Sequence, residues 1–320
     1  MYEKGRGIVL NEPTVIALNT RTNDVLAMGH EAWKMIGRTP GHIVAVRPLR
    51  HGAITDFDVT ERLIRLVLER CGLGRLGINK PRVLICVPSA ITEVEKRAVE
   101  EATLRAGARG AYLIEQPMAA AIGAGLPIHE PVGSMVVDVG GGTSEVAVVS
   151  LGGIVTLHAI RIGSFDLDSA IQAFVRKEFG IAIGERTAEE IKLAIGTALP
   201  DGQGVKAEIP GRDLSAGLPT SVVVTTDEIA GAIQDPVDQI VAAAVECLGE
   251  CPPELAQDIL SSGVYLTGGG ALLEGLDRRI ARDTQVRAQV AELALESIVL
   301  GAGQALESFD LVRDLFVPVR

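Results

Sequence analysis

The sequence predicts an α/β protein built on mixed or parallel sheets, and three observations carry that reading. The first is the segment Asp138-Val139-Gly140-Gly141-Gly142-Thr143-Ser144-Glu145, which lies between Met135 to Val137 and Val146 to Val149. Both flanks are rich in β-branched residues and too short for helices, so they read as the strands of a hairpin. The second is Arg82 to Pro88, a buried strand ended by proline and followed by a helix. The third is Val264 to Leu266, a strand that runs into Gly268-Gly269-Gly270 and then a helix from Ala271 to Asp283. Strands that lead into helices imply a mixed or parallel sheet.

The elements follow in order. Ile8 to Leu10 and Thr14 to Leu18 read as strands. After Pro88, Thr92 and Glu95 form a capping box, with Val94, Ala98 and Ala102 as the apolar face and Gly107 near the end as a C-cap. Gln116-Pro117 opens an alanine-rich helix to Ala124, since proline suits a first helical turn. The glycine hairpin comes next, then Gly152-Gly153 as a turn and a strand from Val155 to Ile162. Ser169 to Phe179 is helical, and Thr187 with Glu190 caps another helix. Residues 200–220 hold many Gly and Pro and read as a loop-rich excursion, followed by helix from Asp227 to Leu248. The tail from Phe309 to Val317 is apolar at intervals and reads as packing on a sheet.

Composition narrows the function classes. The chain has 320 residues, room for about two domains. Its formal net charge of -11 argues against a general grip on nucleic acid, which needs clustered Lys and Arg. No apolar run reaches the ~18 residues of a membrane helix, and Met1 to Arg6 lacks the apolar core of a signal peptide, so the expected location is the cytoplasm. Cys71, Cys86, Cys247 and Cys251 form no CxxC, and no HExxH is present. Cys247 and Cys251 read as buried thiols.

The glycine hairpin suits a polyphosphate. Three glycines let backbone N–H groups approach phosphate oxygens, Thr143 and Ser144 add hydroxyl donors, and Asp138 can hold magnesium through its water shell. The hairpin leads to a strand, not to a helix, and no Gly-Lys-Ser/Thr follows, which argues against a P-loop. In the second cluster, the order strand, glycines, helix N-terminus would favour a phosphate or ribose edge. The alternative there is a tight turn needed for close packing.

Taken together, these segments resemble the MreB/Mbl family of actin-like ATPases. The resemblance is carried by residues 7–15, by Arg47-Pro48-Leu49-Arg50-His51-Gly52-Ala53-Ile54-Thr55-Asp56-Phe57, by residues 81–88 and by residues 117–126. The hairpin, Ile183-Gly184-Glu185-Arg186-Thr187-Ala188-Glu189, residues 251–255 and residues 266–273 complete it. It implies two lobes, each with a ribonuclease H-like sheet, and a nucleotide cleft between them. Lobe I would be residues 1–129 plus 296–320, with a small subdomain at about 17–58; lobe II would be residues 130–295, with a small subdomain at about 166–226.

The resemblance also implies ATP and magnesium as cofactors. Asp138 would order magnesium water, and Gly140, Gly141, Gly142 and Thr143 would hold the phosphates. Glu189 and Lys192, with Glu190 beside them, would bind the ribose and adenine side, and Gly268, Gly269, Gly270 and Ala271 would close over the adenosine. Catalytic roles would fall to Gln116, Glu115, Asp138 and Thr143. The implied function is a membrane-associated cytoskeletal filament that directs cell-wall synthesis and cell shape. Its partners would be other copies of itself, membrane proteins of cell elongation and wall synthesis, and the inner face of the membrane. The loop from Gly72 to Asn79, with Leu76 and Ile78, is the candidate for membrane contact.

Three departures qualify this. The family begins with a strand and an Asp-Leu-Gly-Thr loop, and this chain starts inside the strand that follows. At ~1.5–3 kcal/mol for each charge-assisted hydrogen bond, losing two would weaken ATP binding by about 10²–10⁴. Gln116 stands where the family has glutamate. A glutamine orients water but cannot take its proton, so hydrolysis is expected to be slow at most. Ser164 and Phe165 replace a glycine and an aspartate in the Gly163 to Asp168 segment. The competing readings are a degenerate, non-hydrolysing scaffold, and a sugar-kinase-like or chaperone-like ATPase of the same fold.

Overall fold

A computed structural model describes every residue except 51, 55, 73–79, 201, 203, 310, 311 and 318–320. Residues 73–79, singled out above for membrane contact, therefore lie outside the described residues. The chain divides into two compact units, Met1–Gly125 with Glu296–Arg320, and Leu126–Leu295.

The first unit opens with a hairpin of β1 (Tyr2–Glu3) and β2 (Gly7–Ile8). The strand expected at Ile8 to Leu10 is thus shifted toward the terminus. A three-stranded sheet follows from β3 (Ile16–Asn19), β4 (Val25–Met28) and β5 (Ile43–Val46), with α1 (His30–Met35) between the last two. Next come the pair β6 (Leu49–Arg50) and β7 (Ala53–Ile54), then α2 (Phe57–Arg70), β8 (Arg82–Val87), α3 (Glu93–Arg105), β9 (Gly110–Glu115) and α4 (Gln116–Gly123). Asp56 caps α2 by accepting from the Val59 N–H, and the Thr92–Glu95 capping box on α3 is formed at both ends. The face of α3 differs from expectation. Ala102 is buried as expected, but Val94 is 78% exposed, Ala98 is only half-buried, and Val99 and Thr103 complete the buried face. Val94 sits in the first turn, before the packed i, i+3, i+4 stripe begins.

The second unit is built on a five-stranded sheet in the order β12 (Gly153–Ile160), β11 (Ser144–Ser150), β10 (Ser134–Val139), β16 (Val264–Thr267), β17 (Ala288–Val290). The first three pair antiparallel and the last three parallel, so the sheet is mixed. Every residue of β10 and β11 is buried. Between β12 and β16 lie α5 (Ser164–Phe179), β13 (Ile181–Ala182), α6 (Glu185–Ile195), β14 (Lys206–Asp213), β15 (Pro219–Thr225), α7 (Thr226–Ala232), α8 (Gln234–Gly249) and α9 (Pro253–Ser262). After β16 a 3-10 turn (Gly269–Leu272) precedes α10 (Leu276–Thr284). The first unit is then completed by α11 (Ser297–Glu307) and β18 (Phe316–Val317), which adds antiparallel to β9.

Several expectations need correction here. Residues 206–225 are a regular hairpin, not a loop, with Ile209 opposite Val222 and both strands in a sheet with β13. Pro210 is tolerated because β13 pairs only with Arg212 and Asp213, so β14 is an edge where the proline lacks its N–H. Helix α5 starts at Ser164, five residues before the expected Ser169, because the Asp166 carboxylate accepts from the Gly163 N–H. Helix α6 starts at Glu185 after Gly184, with no side-chain cap, so the Thr187–Glu190 box does not form. Glu190 pairs with Arg186 instead, at 2.9 Å. Finally, α10 begins at Leu276 and not at Ala271: Leu273 is extended, and Thr197 bridges to Glu274.

Candidate functional site

The site is built on the β10–β11 turn. Val139 and Ser144 close the ladder, and the Gly140 N–H donates to the Thr143 carbonyl at 2.9 Å. Helix α5 then holds the loop from behind. The Ser164 N–H donates to the Gly140 carbonyl at 2.9 Å and the Phe165 N–H to the Gly141 carbonyl at 2.8 Å. Peptide planes are trans, so a carbonyl drawn one way sends the next N–H the other way. The N–H groups of Gly141 and Gly142 therefore point away from α5. Among the described residues, no acceptor meets the N–H groups of Gly141, Gly142 or Thr143. Three successive donors without acceptors on a half-buried turn make an anion-binding concavity.

Close approach explains the glycines around it. A Cβ on Gly163 would lie 2.7 Å from Gly141 C, Gly141 O and Gly142 N, so only hydrogen fits. A Cβ on Gly141 would meet the Phe165 ring at 2.7 Å. Sequence reasoning treated Phe165 as a lost carboxylate. In the fold its ring backs the glycine loop, a contact that no spacing rule reveals.

Asp138 lies on β10 opposite Thr267 of β16. It is only 1% exposed, and its Oδ1 accepts from the Thr267 hydroxyl at 2.9 Å. Burial pushes its carboxyl up to about 6, and the Thr267 bond opposes that rise. Thr267 was missed in the sequence because it is paired across a parallel strand 129 residues away.

The second glycine cluster sorts into two kinds. Gly268 and Gly270 are buried, and a Cβ on either would lie 2.4 Å from Val139, on its carbonyl oxygen or its Cγ1. Their glycine is a packing requirement, the alternative weighed for this turn. Gly269 is exposed, beside Leu295. Ala271 is buried and donates its N–H to the Gly268 carbonyl at 3.2 Å.

Helix α6 places Glu189 half-buried, Glu190 exposed and Lys192 buried. Lys192 does not pair with Glu190. Its ammonium lies 2.8 Å from Asp168 and donates to the Ser164 hydroxyl at 2.6 Å and the Ser164 carbonyl at 3.2 Å.

In the first unit, Glu115 ends β9 as the N-cap of α4, and Gln116 is the first residue of that helix. Burial raises the Glu115 carboxyl, and Lys96 opposes this. Cys247 and Cys251 are buried thiols, and burial pushes Cys247 up to about 12, which leaves it inert at neutral pH.

A two-unit α/β chain whose glycine hairpin sits on a mixed sheet is the arrangement of the actin-like class. The family model described as MreB/Mbl protein matches residues 1–314, and the chain belongs to that family. Over 315 residues it is 48% identical to the cell shape-determining protein MreB of Escherichia coli strain K12, covering 97% of this chain and 91% of that one. It is 45% identical over 310 residues to the cell shape-determining protein Mbl of Bacillus subtilis strain 168, covering 97% and 93%. The crystal structure of MreB5 of Spiroplasma citri bound to ADP superposes with a TM-score of 0.89 at 32% identity, over 97% of this chain and 93% of that one. A MamK double helical filament matches with a TM-score of 0.79 at 17% identity, over 95% and 94%, a likeness of fold alone. The fold is actin-like.

Proposed function

We propose that this chain is an actin-like cytoskeletal protein that binds ATP and assembles into filaments directing cell-wall synthesis and cell shape. Its membership of a family whose relatives are named cell shape-determining proteins supports the biological role. One observation carries the chemical part: three successive N–H groups without acceptors, at Gly141, Gly142 and Thr143, held outward by α5. Such a concavity fits phosphate oxygens. MreB5 of Spiroplasma citri, solved bound to ADP and to AMPPNP, supports the same ligand class.

Asp138 fits magnesium held through water, because a cation would favour the ionised carboxylate that burial disfavours. Magnesium, when bound, neutralises phosphate charge. Gly140 to Thr143 hold the phosphates, while Glu189 and the exposed Gly269 serve the nucleoside side. Gln116 can orient water but takes no proton, so turnover is slow. The filaments lie at the inner face of the membrane with the proteins of cell elongation.

The test is calorimetric titration with ATP and magnesium, paired with sedimentation. The wild-type chain binds ATP and pellets more with ATP than without nucleotide. Gly163→Ala forces a Cβ into the backbone of the loop. Overpacking of this kind costs about 1–3 kcal/mol, so the variant loses roughly 5- to 150-fold in affinity if that cost falls on the bound loop. Unchanged binding by Gly163→Ala would remove the loop from the site.

A further inference from the structure

The two carboxyl oxygens of Asp138 have different surroundings. Oδ1 accepts from the Thr267 hydroxyl at 2.9 Å. Nothing among the described residues donates to Oδ2. Thr267 is wholly buried, as is Asp138 but for 1% of its surface. Their strands run parallel with the two residues in register, so both side chains stand on one face of the sheet. On its other side Asp138 is in register with Glu145 of β11, which is also buried. An ionised carboxylate only accepts hydrogen bonds, so it is Thr267 that supplies the donor. The end of β16 is itself tied down. The Gly268 N–H donates to the Ala294 carbonyl at 2.7 Å, and a Cβ on Gly268 would lie 3.0 Å from Asp138 Oδ1. The hydroxyl is thus presented from a strand end that has little room to shift.

We propose that Thr267 is a positioning residue for the magnesium acid: its hydroxyl holds Asp138 Oδ1 and so sets Oδ2 as the oxygen offered to the water shell of the ion. This rests on the reading of Asp138 as the residue that holds magnesium through water. The torsion that turns an aspartate carboxyl is broad and roughly two-fold, so the side chain alone does not keep its oxygens in place. Threonine is the opposite, because its branched Cβ makes χ1 stiff. A carboxyl set before binding has less ordering left to do when the ion arrives. The bond also joins the two glycine clusters. Asp138 opens the turn that holds the phosphates, and Thr267 opens the turn that leads through Gly268 to Gly269 on the nucleoside side. The strand that carries the nucleoside contact therefore also sets the magnesium acid.

The test compares Thr267→Val, which keeps the shape and removes the donor, with Thr267→Ser, which keeps the donor. The first readout needs no nucleotide. In crystals of the ligand-free chain, the Asp138 carboxyl of Thr267→Val should be turned or spread over two positions, and in Thr267→Ser it should stay in place. A carboxyl unmoved in Thr267→Val would overturn the proposal. The second readout is the magnesium gain, the ratio of the ATP dissociation constants that calorimetry gives in chelator and in magnesium. Thr267→Val should cut this gain about tenfold, the equivalent of ~1.4 kcal/mol, and change the affinity in chelator by less than about twofold. Thr267→Ser should stay within roughly threefold of the wild-type gain. An equal loss with and without magnesium would mean that the hydroxyl only supports the fold, and would overturn the proposal. A buried carboxyl deprived of its donor threatens folding. If Thr267→Val does not fold, Thr267→Ala, which admits a water to the carboxyl, takes its place under the same expectations. A wild-type chain that binds ATP with no magnesium gain overturns the magnesium reading of Asp138 and this proposal with it. A wild-type gain that survives loss of the hydroxyl overturns the proposal alone.

Discussion

Asp138 shows how burial and chemistry pull one residue in opposite directions. Its carboxyl rises from an ordinary 3.8 to about 6 because β10 and its neighbours exclude water. An acid whose folded value is raised binds its proton more tightly in the fold. Stability from that proton is fully present below the unfolded value and is lost as pH rises to the folded value. The ligand-free chain should therefore lose about 2 kcal/mol between pH 4 and pH 6 from this one group. Urea unfolding across that range checks it: the wild-type chain should show the decline, and Asp138→Asn should lack this share of it. Equal slopes would mean that the carboxylate is solvated. The sequence placed Asp138 beside the glycines, which made it a candidate. It could not supply Thr267, because a cross-strand partner depends on parallel register.

Among the elements, α4 and α11 of the first unit show what tight packing demands. A Cβ on Gly123 would lie 1.8 Å from the Ser297 carbonyl, and one on Gly301 would lie 1.8 Å from the Ala119 carbonyl. Each helix thus presses its backbone against a glycine of the other. Neither glycine has positive φ, so space and not conformation requires them. Gly123→Ala or Gly301→Ala should destabilise the chain by about 3 kcal/mol or more, the upper end for overpacking where backbone must move. Thermal unfolding measures this, and a change of under ~0.5 kcal/mol would show that the helices can part freely. Elements with local signals were legible in advance. The Thr92–Glu95 box and the β10–β11 hairpin formed where the residues predicted. Elements set by distant partners were not. The β14–β15 hairpin hid behind Pro210 and Gly211, and the start of α10 was displaced by the bridge to Thr197.

At the scale of the whole molecule, charge sets a condition on assembly. Each copy carries a formal charge of -11, so filament subunits repel one another at long range. Raising the ionic strength from about 0.01 M to 0.15 M shortens the screening length from about 30 Å to about 8 Å. The concentration needed for sedimentable filaments should fall over that range and fall further with magnesium. A rise with monovalent salt would mean that specific ion pairs, not net repulsion, govern the contact. No helix among the described residues is long and apolar enough to cross a membrane.

The sequence by itself determined the class of fold, the family and the position of the glycine turn. Those depend on local pattern: β-branched runs, capping residues, and glycines between an acid and two hydroxyls. Only the tertiary structure decided what each glycine and charge is for. Gly268 and Gly270 make room for Val139, Gly163 makes room for the loop, and Lys192 turns inward to Ser164 and Asp168. The physical reason is that a side chain's task is set by the atoms that reach it, and at this site those atoms come from strands and helices far apart in the chain.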